Sequence, residues 1–211
     1  MLQYITDSNS KRSVEDQIKE VLAAGGNWIT IDPAGMTDDQ IKALVDKIMP
    51  LCLEKEAFLL IKDNVALAKE MNIGGVVLSK GSGEFPSHAR MTLGAAAVIG
   101  VEVYTVDDIA ALKGLDVDYV VMTPYKGTAD ALDIDGIKNL CSYMEEKELE
   151  LPRVAAGGVA YDDIAPLMEA GCNGVAMSEA IADASDIAGE TKKAISLLKK
   201  YEKEEEAAIN D

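Results

Sequence analysis

The sequence is short of the residues that usually announce a chemistry. It holds one histidine, His88, and three cysteines, Cys52, Cys141 and Cys172. The cysteines are far apart and show no CxxC or Cys/His spacing, so neither a disulfide framework nor a zinc site is indicated, and they read as small buried apolar residues. His88 lies in a helix-start loop and reads as a surface residue. Trp28, the one tryptophan, reads as strand packing. Positive charge is scarce: 20 Lys and Arg against 37 Asp and Glu give a formal net charge of −17. That argues against nucleic acid or an anionic membrane as partner, because both need a cationic face. No apolar run approaches the roughly 18 to 20 residues of a membrane span, and the N-terminus lacks the basic-then-apolar layout of a signal peptide. A cytoplasmic location is expected.

What is present is a regular alternation. With 211 residues, 48% apolar and 27% charged, the chain has room for one α/β barrel or two small domains. Short apolar runs read as strands at 2–6, 27–31, 57–62, 75–79, 97–104, 119–125, 153–156 and 174–177. Longer amphipathic segments separate them, with caps at Ser13, Thr37 and Thr105, and a closing helix is expected over 183–201. Near-continuous apolar strands spaced by about 20 to 30 residues fit a parallel sheet covered by helices, and eight such units close into a single (β/α)₈ TIM barrel. A doubly wound sheet would want GxGxxG after the first strand, and ITDSNSK is not that. The barrel is expected over 1–202, followed by a charged C-terminal tail at 203–211.

The stretch from Pro152 to Ile181 organises the functional reading. It runs strand, Gly157-Gly158, amphipathic segment, Gly171, strand. Paired glycines after a strand let a ligand approach bare backbone, and the freed N–H groups can bind an oxyanion. Phosphate usually sits on the loops after the last two strands of such a barrel. The other strand ends supply Asp7, Asp32, Lys62 with Asp63, Ser79 with Lys80, Glu102 with Tyr104, Thr123 with Tyr125 and Lys126, and Ser178 with Glu179. This rim has five acids, three lysines and neither arginine nor histidine. It suits one phosphate or a magnesium ion and is poorly charged for a pyrophosphate.

Four stretches carry a resemblance: YITD at Tyr4 to Asp7, LLIKDNVALAKEMNIGGVVLS at Leu59 to Ser79, DYVVMTP at Asp118 to Pro124, and the Pro152 to Ile181 block. In order and spacing they resemble thiamine phosphate synthase and its relative, the thiazole tautomerase TenI, which share one barrel fold. The resemblance implies a transferase of thiamine biosynthesis that joins a pyrimidine pyrophosphate to a thiazole phosphate. In that family magnesium and cationic side chains stabilise the departing pyrophosphate. It also implies a phosphorylated small molecule as partner, a possible homodimer, and magnesium as the cofactor, with Asp63 at the position of a magnesium-binding aspartate. Lys126 and Thr128, in the loop YKGT, stand near the family's PTxTK segment. Gly157, Gly158 and Ser178 fall at the phosphate-binding positions.

The departures from the family cluster on the pyrophosphate. TIDPAG, at Thr30 to Gly35, replaces the charged QxREK segment; Lys62 replaces an asparagine; Glu102 and Tyr104 replace a serine and a histidine; Glu179 replaces a serine. Weak or missing synthase activity is therefore expected. The other readings are a non-catalytic barrel that binds a phosphorylated metabolite, or nothing small, and a barrel enzyme using Lys62, Glu102 or Glu179 on an uncharged or cationic substrate. Within these, Lys62 is read as a phosphate ligand, a Schiff-base amine or the partner of a neighbouring carboxylate. Glu102 is read as half of an acid/base pair with Glu179, and Asp63 as a metal ligand or a helix cap.

Overall fold

A computed structural model describes residues 1–209, with side chains described to residue 201. The side chains of the charged stretch 203–211 lie outside the described residues. Eight parallel strands, β1 (Leu2–Ile5), β2 (Trp28–Ile31), β3 (Phe58–Lys62), β4 (Gly75–Leu78), β5 (Val98–Val103), β6 (Tyr119–Met122), β7 (Arg153–Ala155) and β8 (Gly174–Met177), follow one another around a closed barrel. The ring is completed by β1 pairing with β8, Gln3 opposite Ala176. No helix of the described residues is long and apolar enough to cross a membrane.

The helices cover this ring. They are α1 (Val14–Ala23), α2 (Asp38–Glu54), α3 (Val65–Glu70), α4 (Pro86–Leu93), α5 (Val106–Ala111), α6 (Asp133–Glu146), α7 (Ile164–Glu169), α8 (Glu179–Ala182) and α9 (Ile187–Ile209). Several start where the sequence provides an acceptor for their unpaired N–H groups. Ser13 accepts from Asp16 N, and Thr37 and Thr105 each form a reciprocal capping box, with Gln40 and Asp108. One expectation is corrected at the end of the chain. The closing helix expected over 183–201 starts later, at Ile187, where Asp186 accepts the Gly189 N–H at 2.8 Å, and the short α8 precedes it. A second correction concerns Asp63: the α3 cap is Asn64, whose Oδ1 accepts from Leu67 N at 3.0 Å.

Alternation sorts the strand residues into two cores. Tyr4, Ile29, Ile31, Leu59, Ile61, Val76, Val120 and Val175 face outward into the main core between sheet and helices. Leu60, Val77, Tyr119, Val121, Val154, Ala156 and Ala176 point into the barrel, with Ile5, Trp28 and Val98 against them. The barrel interior is thus packed, not a pore. Tyr119 fits because Gly100 opposite has no side chain: a Cβ there would lie 2.3 Å from its ring. Gln3 ties this layer together, donating from Nε2 to Thr30 Oγ1 at 2.7 Å and to the Tyr119 hydroxyl at 2.9 Å. Trp28 closes the floor edge-on to Tyr119, ring centroids 4.9 Å apart. The three cysteines are buried, and His88 stays exposed beside Glu84.

Candidate active site

The inward positions continue past the strand ends at the same period. After Thr30, Leu60, Gly100, Val121 and Val154 come Asp32, Lys62, Glu102, Thr123 and Ala156, and with Ile5 they surround a cavity of about 540 Å³. Residues 156–160 after β7 and 178–180 after β8 complete its wall. A second cavity of about 490 Å³, lined by Trp28, Phe58, Val98 and Ile195, lies at the opposite end of the barrel. In this fold that end carries stability, and the strand C-termini carry chemistry.

The glycine loop is built for close approach. Gly157 and Gly158 have φ of 87° and 69°, a region L side chains rarely occupy. A Cβ on Gly157 would lie 3.0 Å from Pro124 Cα, and one on Gly158 3.0 Å from Lys126 Cβ. The loop is fixed from β6: Tyr125 N donates to Ala156 O at 2.7 Å, and Lys126 N to Gly157 O at 2.9 Å. Among the described residues, the N–H groups of Gly158, Val159, Glu179 and Ala180 meet no protein acceptor. These donors, Gly158 and Val159 on one loop and Glu179 and Ala180 on the other, border the same cavity.

The charged residues arrange themselves differently from the family-based expectation. Lys62 Nζ lies 2.9 Å from Glu102 Oε1, and the Tyr104 hydroxyl donates to Glu102 Oε2 at 3.2 Å. The pair is partly sheltered, with side chains 28% and 9% exposed. Burial opposes the Lys62 charge, but the Glu102 carboxylate, with Asp32 and Asp63, outweighs it and holds the lysine pKa above its ordinary value. Such an amine is protonated at neutral pH, which disfavours the Schiff-base role. Of the alternatives for Lys62, the carboxylate pairing is the one found. Glu102 and Glu179 line one cavity, but Glu102 is committed to Lys62 and Tyr104 rather than to a second carboxylate.

Lys126 and Thr128 are not brought to the cavity wall. The Lys126 ammonium pairs with Asp163, which also takes the Tyr125 hydroxyl at 3.4 Å and the Ala160 N–H at 2.9 Å. Asp163 therefore staples the loop after β6 to the loop after β7. The sequence marks Asp163 only as an aspartate just before a helix; its opposition to Lys126 appears with the fold. Arg12, in the loop after β1, spends its guanidinium on Glu20 and on Ser185 O and does not line the mouth.

Asp63 has a φ of 59° and sits beside β4. The Ser79 N–H donates to its Oδ1 at 2.6 Å and the Ser79 hydroxyl to its Oδ2. Magnesium generally keeps several waters and enters with one or two carboxylates and substrate phosphates. Here the matching carboxylate already accepts two hydrogen bonds from Ser79, and no group of three or more His, Cys, Asp or Glu among the described residues could hold a metal, so the described side chains alone build no closed cage for an ion.

The sequence matches the family described as "Thiamine monophosphate synthase" over residues 2–181. A thiamine-phosphate synthase of Bacteroides thetaiotaomicron is 34% identical over 203 residues, covering 93% of this chain and 96% of the relative. One of Bacteroides fragilis is 32% identical, covering 93% and 98%. Among solved structures, a thiamine phosphate pyrophosphorylase from Pyrococcus furiosus superposes with a TM-score of 0.84 at 20% identity, covering 95% of this chain and 96% of that one.

Proposed function

This chain belongs to the thiamine monophosphate synthase family, and from that premise we propose that it works in the cytoplasm on a phosphorylated thiamine precursor seated in the mouth of its barrel. The phosphate rests on the N–H groups of Gly158, Val159, Glu179 and Ala180, with Ser178 beside them. Backbone donors at a positive-φ turn hold an anion with fixed dipoles and no reorganisation. Thr123, packed against Gly157, and Asp32 line the same cavity and face the rest of the ligand.

The observation that carries this reading is the pairing of Gly157-Gly158 with unfilled N–H groups on the wall of the cavity at the strand C-termini. The same wall explains the expected weakness of the complete condensation. Joining a pyrimidine pyrophosphate to a thiazole phosphate expels pyrophosphate, whose charge must be met by preorganised cations. Among the described residues Lys62 is the one cation lining the cavity, and it faces Asp32, Glu102 and Glu179.

A coupled assay on both precursors tests this. The expected turnover is below about 0.1 per second, against a typical enzyme value of about 10 per second. Turnover in the ordinary range would contradict the reading, because it requires pyrophosphate stabilisation that the lining residues do not offer.

A further inference from the structure

The Lys62–Glu102 pair lines the mouth of the barrel. Lys62 is level with Val77 of β4, and Val77 with Gly100 of β5, so Glu102 rises one inward position above the lysine's level. Its carboxylate is held at both oxygens, by Lys62 and by Tyr104, and its side chain is 9% exposed. Tyr104 is itself positioned by Lys80, whose ammonium lies 5.3 Å from the ring centroid and which pairs with Asp108. A carboxylate fixed in this way cannot swing aside to release its lysine without losing the Tyr104 hydrogen bond as well.

We propose that Glu102 is a specificity-determining residue: by keeping Lys62 paired, it limits the mouth to ligands that carry a single phosphate and excludes a diphosphate. This rests on the reading of the mouth as a phosphate site. One phosphate on the loop N–H groups needs no side-chain cation. A second phosphate, extending from that cradle toward the barrel axis, meets Asp32, Glu102 and Glu179, and the single lysine there is already neutralised. Like charges lining one partly buried site shift affinity by about tenfold or more.

Calorimetric titration of the full chain with inorganic phosphate and with inorganic pyrophosphate, in metal-free buffer, tests the proposal. Wild type should bind pyrophosphate no more than about threefold tighter than phosphate. Glu102→Gln, nearly isosteric, frees the lysine and should tighten pyrophosphate roughly tenfold while changing phosphate by less than about threefold. Adding Lys62→Met to that variant should remove the gain, and thermal melts of all three proteins show that each is folded. An unchanged pyrophosphate-to-phosphate ratio in Glu102→Gln, with phosphate still bound, overturns the role of Glu102 and leaves the cradle standing. A wild type that already prefers pyrophosphate tenfold overturns it too. Failure of every protein to bind phosphate overturns the cradle, and this proposal with it.

Discussion

At the scale of single residues, the charges in this protein are spent on one another. Asp163 and Asp108 are each pushed up by burial, yet hydrogen bonds from Lys126 and the Ala160 N–H, and from Lys80 and the Tyr104 N–H, hold their pKa below the ordinary aspartate value of 3.8. A depressed carboxylate contributes stability that is present above its unfolded pKa and lost as pH falls through the folded one. Lys62 and Lys126 are raised above 10.5, so their contribution is present below that value and lost as pH rises through the raised one. Stability should therefore be flat across neutral pH, fall below about pH 4 and fall again above about pH 10.5. Denaturant unfolding followed by Trp28 fluorescence checks this, and a midpoint that drops between pH 5 and 8 would contradict it. The single histidine is exposed beside Glu84, so no buried imidazole is available to create such a drop.

The individual elements show what was legible in the sequence and what was not. Strand positions and the caps at Ser13, Thr37 and Thr105 follow from local chemistry, and the structure has them where the pattern put them. The start of the last helix was less visible: it begins at Ile187, where Asp186 accepts the Gly189 N–H, and a separate short helix, α8, precedes it. Gly157-Gly158 was legible as a turn, but the reason for glycine there is tertiary: the loop leans on Pro124 and Lys126 of the preceding unit. Gly157→Ala should consequently cost about 1 to 3 kcal/mol, combining a positive-φ penalty with a crowded Cβ. A melting temperature within about 1 °C of wild type would show that the loop is free to move aside. Lys62 with Glu102, and Lys126 with Asp163, could not be paired from sequence. Each pair joins strand-end or loop residues 37 to 40 positions apart, and only barrel closure sets which of several acids is in reach.

For the molecule as a whole, the fold is the most legible feature and the chemistry the least. Eight alternations of apolar strand and amphipathic helix leave one economical solution, a closed parallel barrel, and its inner layer is packed by the Gly100 and Tyr119 pair and tied by the Gln3 hydrogen bonds. That packing fixes eight strand ends around one mouth whatever residues they bear. Family membership says what the scaffold was used for; the residues at the mouth say what this copy can still hold. Anion contacts by backbone survive substitution better than contacts by side chains, since they depend on a turn and not on a residue's charge. On the proposed reading, this is how Gly157-Gly158 can seat a phosphate in a rim where Lys62 is the one lining cation among the described residues.

A crystal structure with thiazole phosphate bound tests the central claim most directly. The account predicts the phosphate over the loops after β7 and β8, its oxygens within about 3.2 Å of the Gly158 and Val159 nitrogens and away from Lys126. A phosphate held by Lys126 or Arg12 instead, or a mouth that stays empty at saturating ligand, would contradict it.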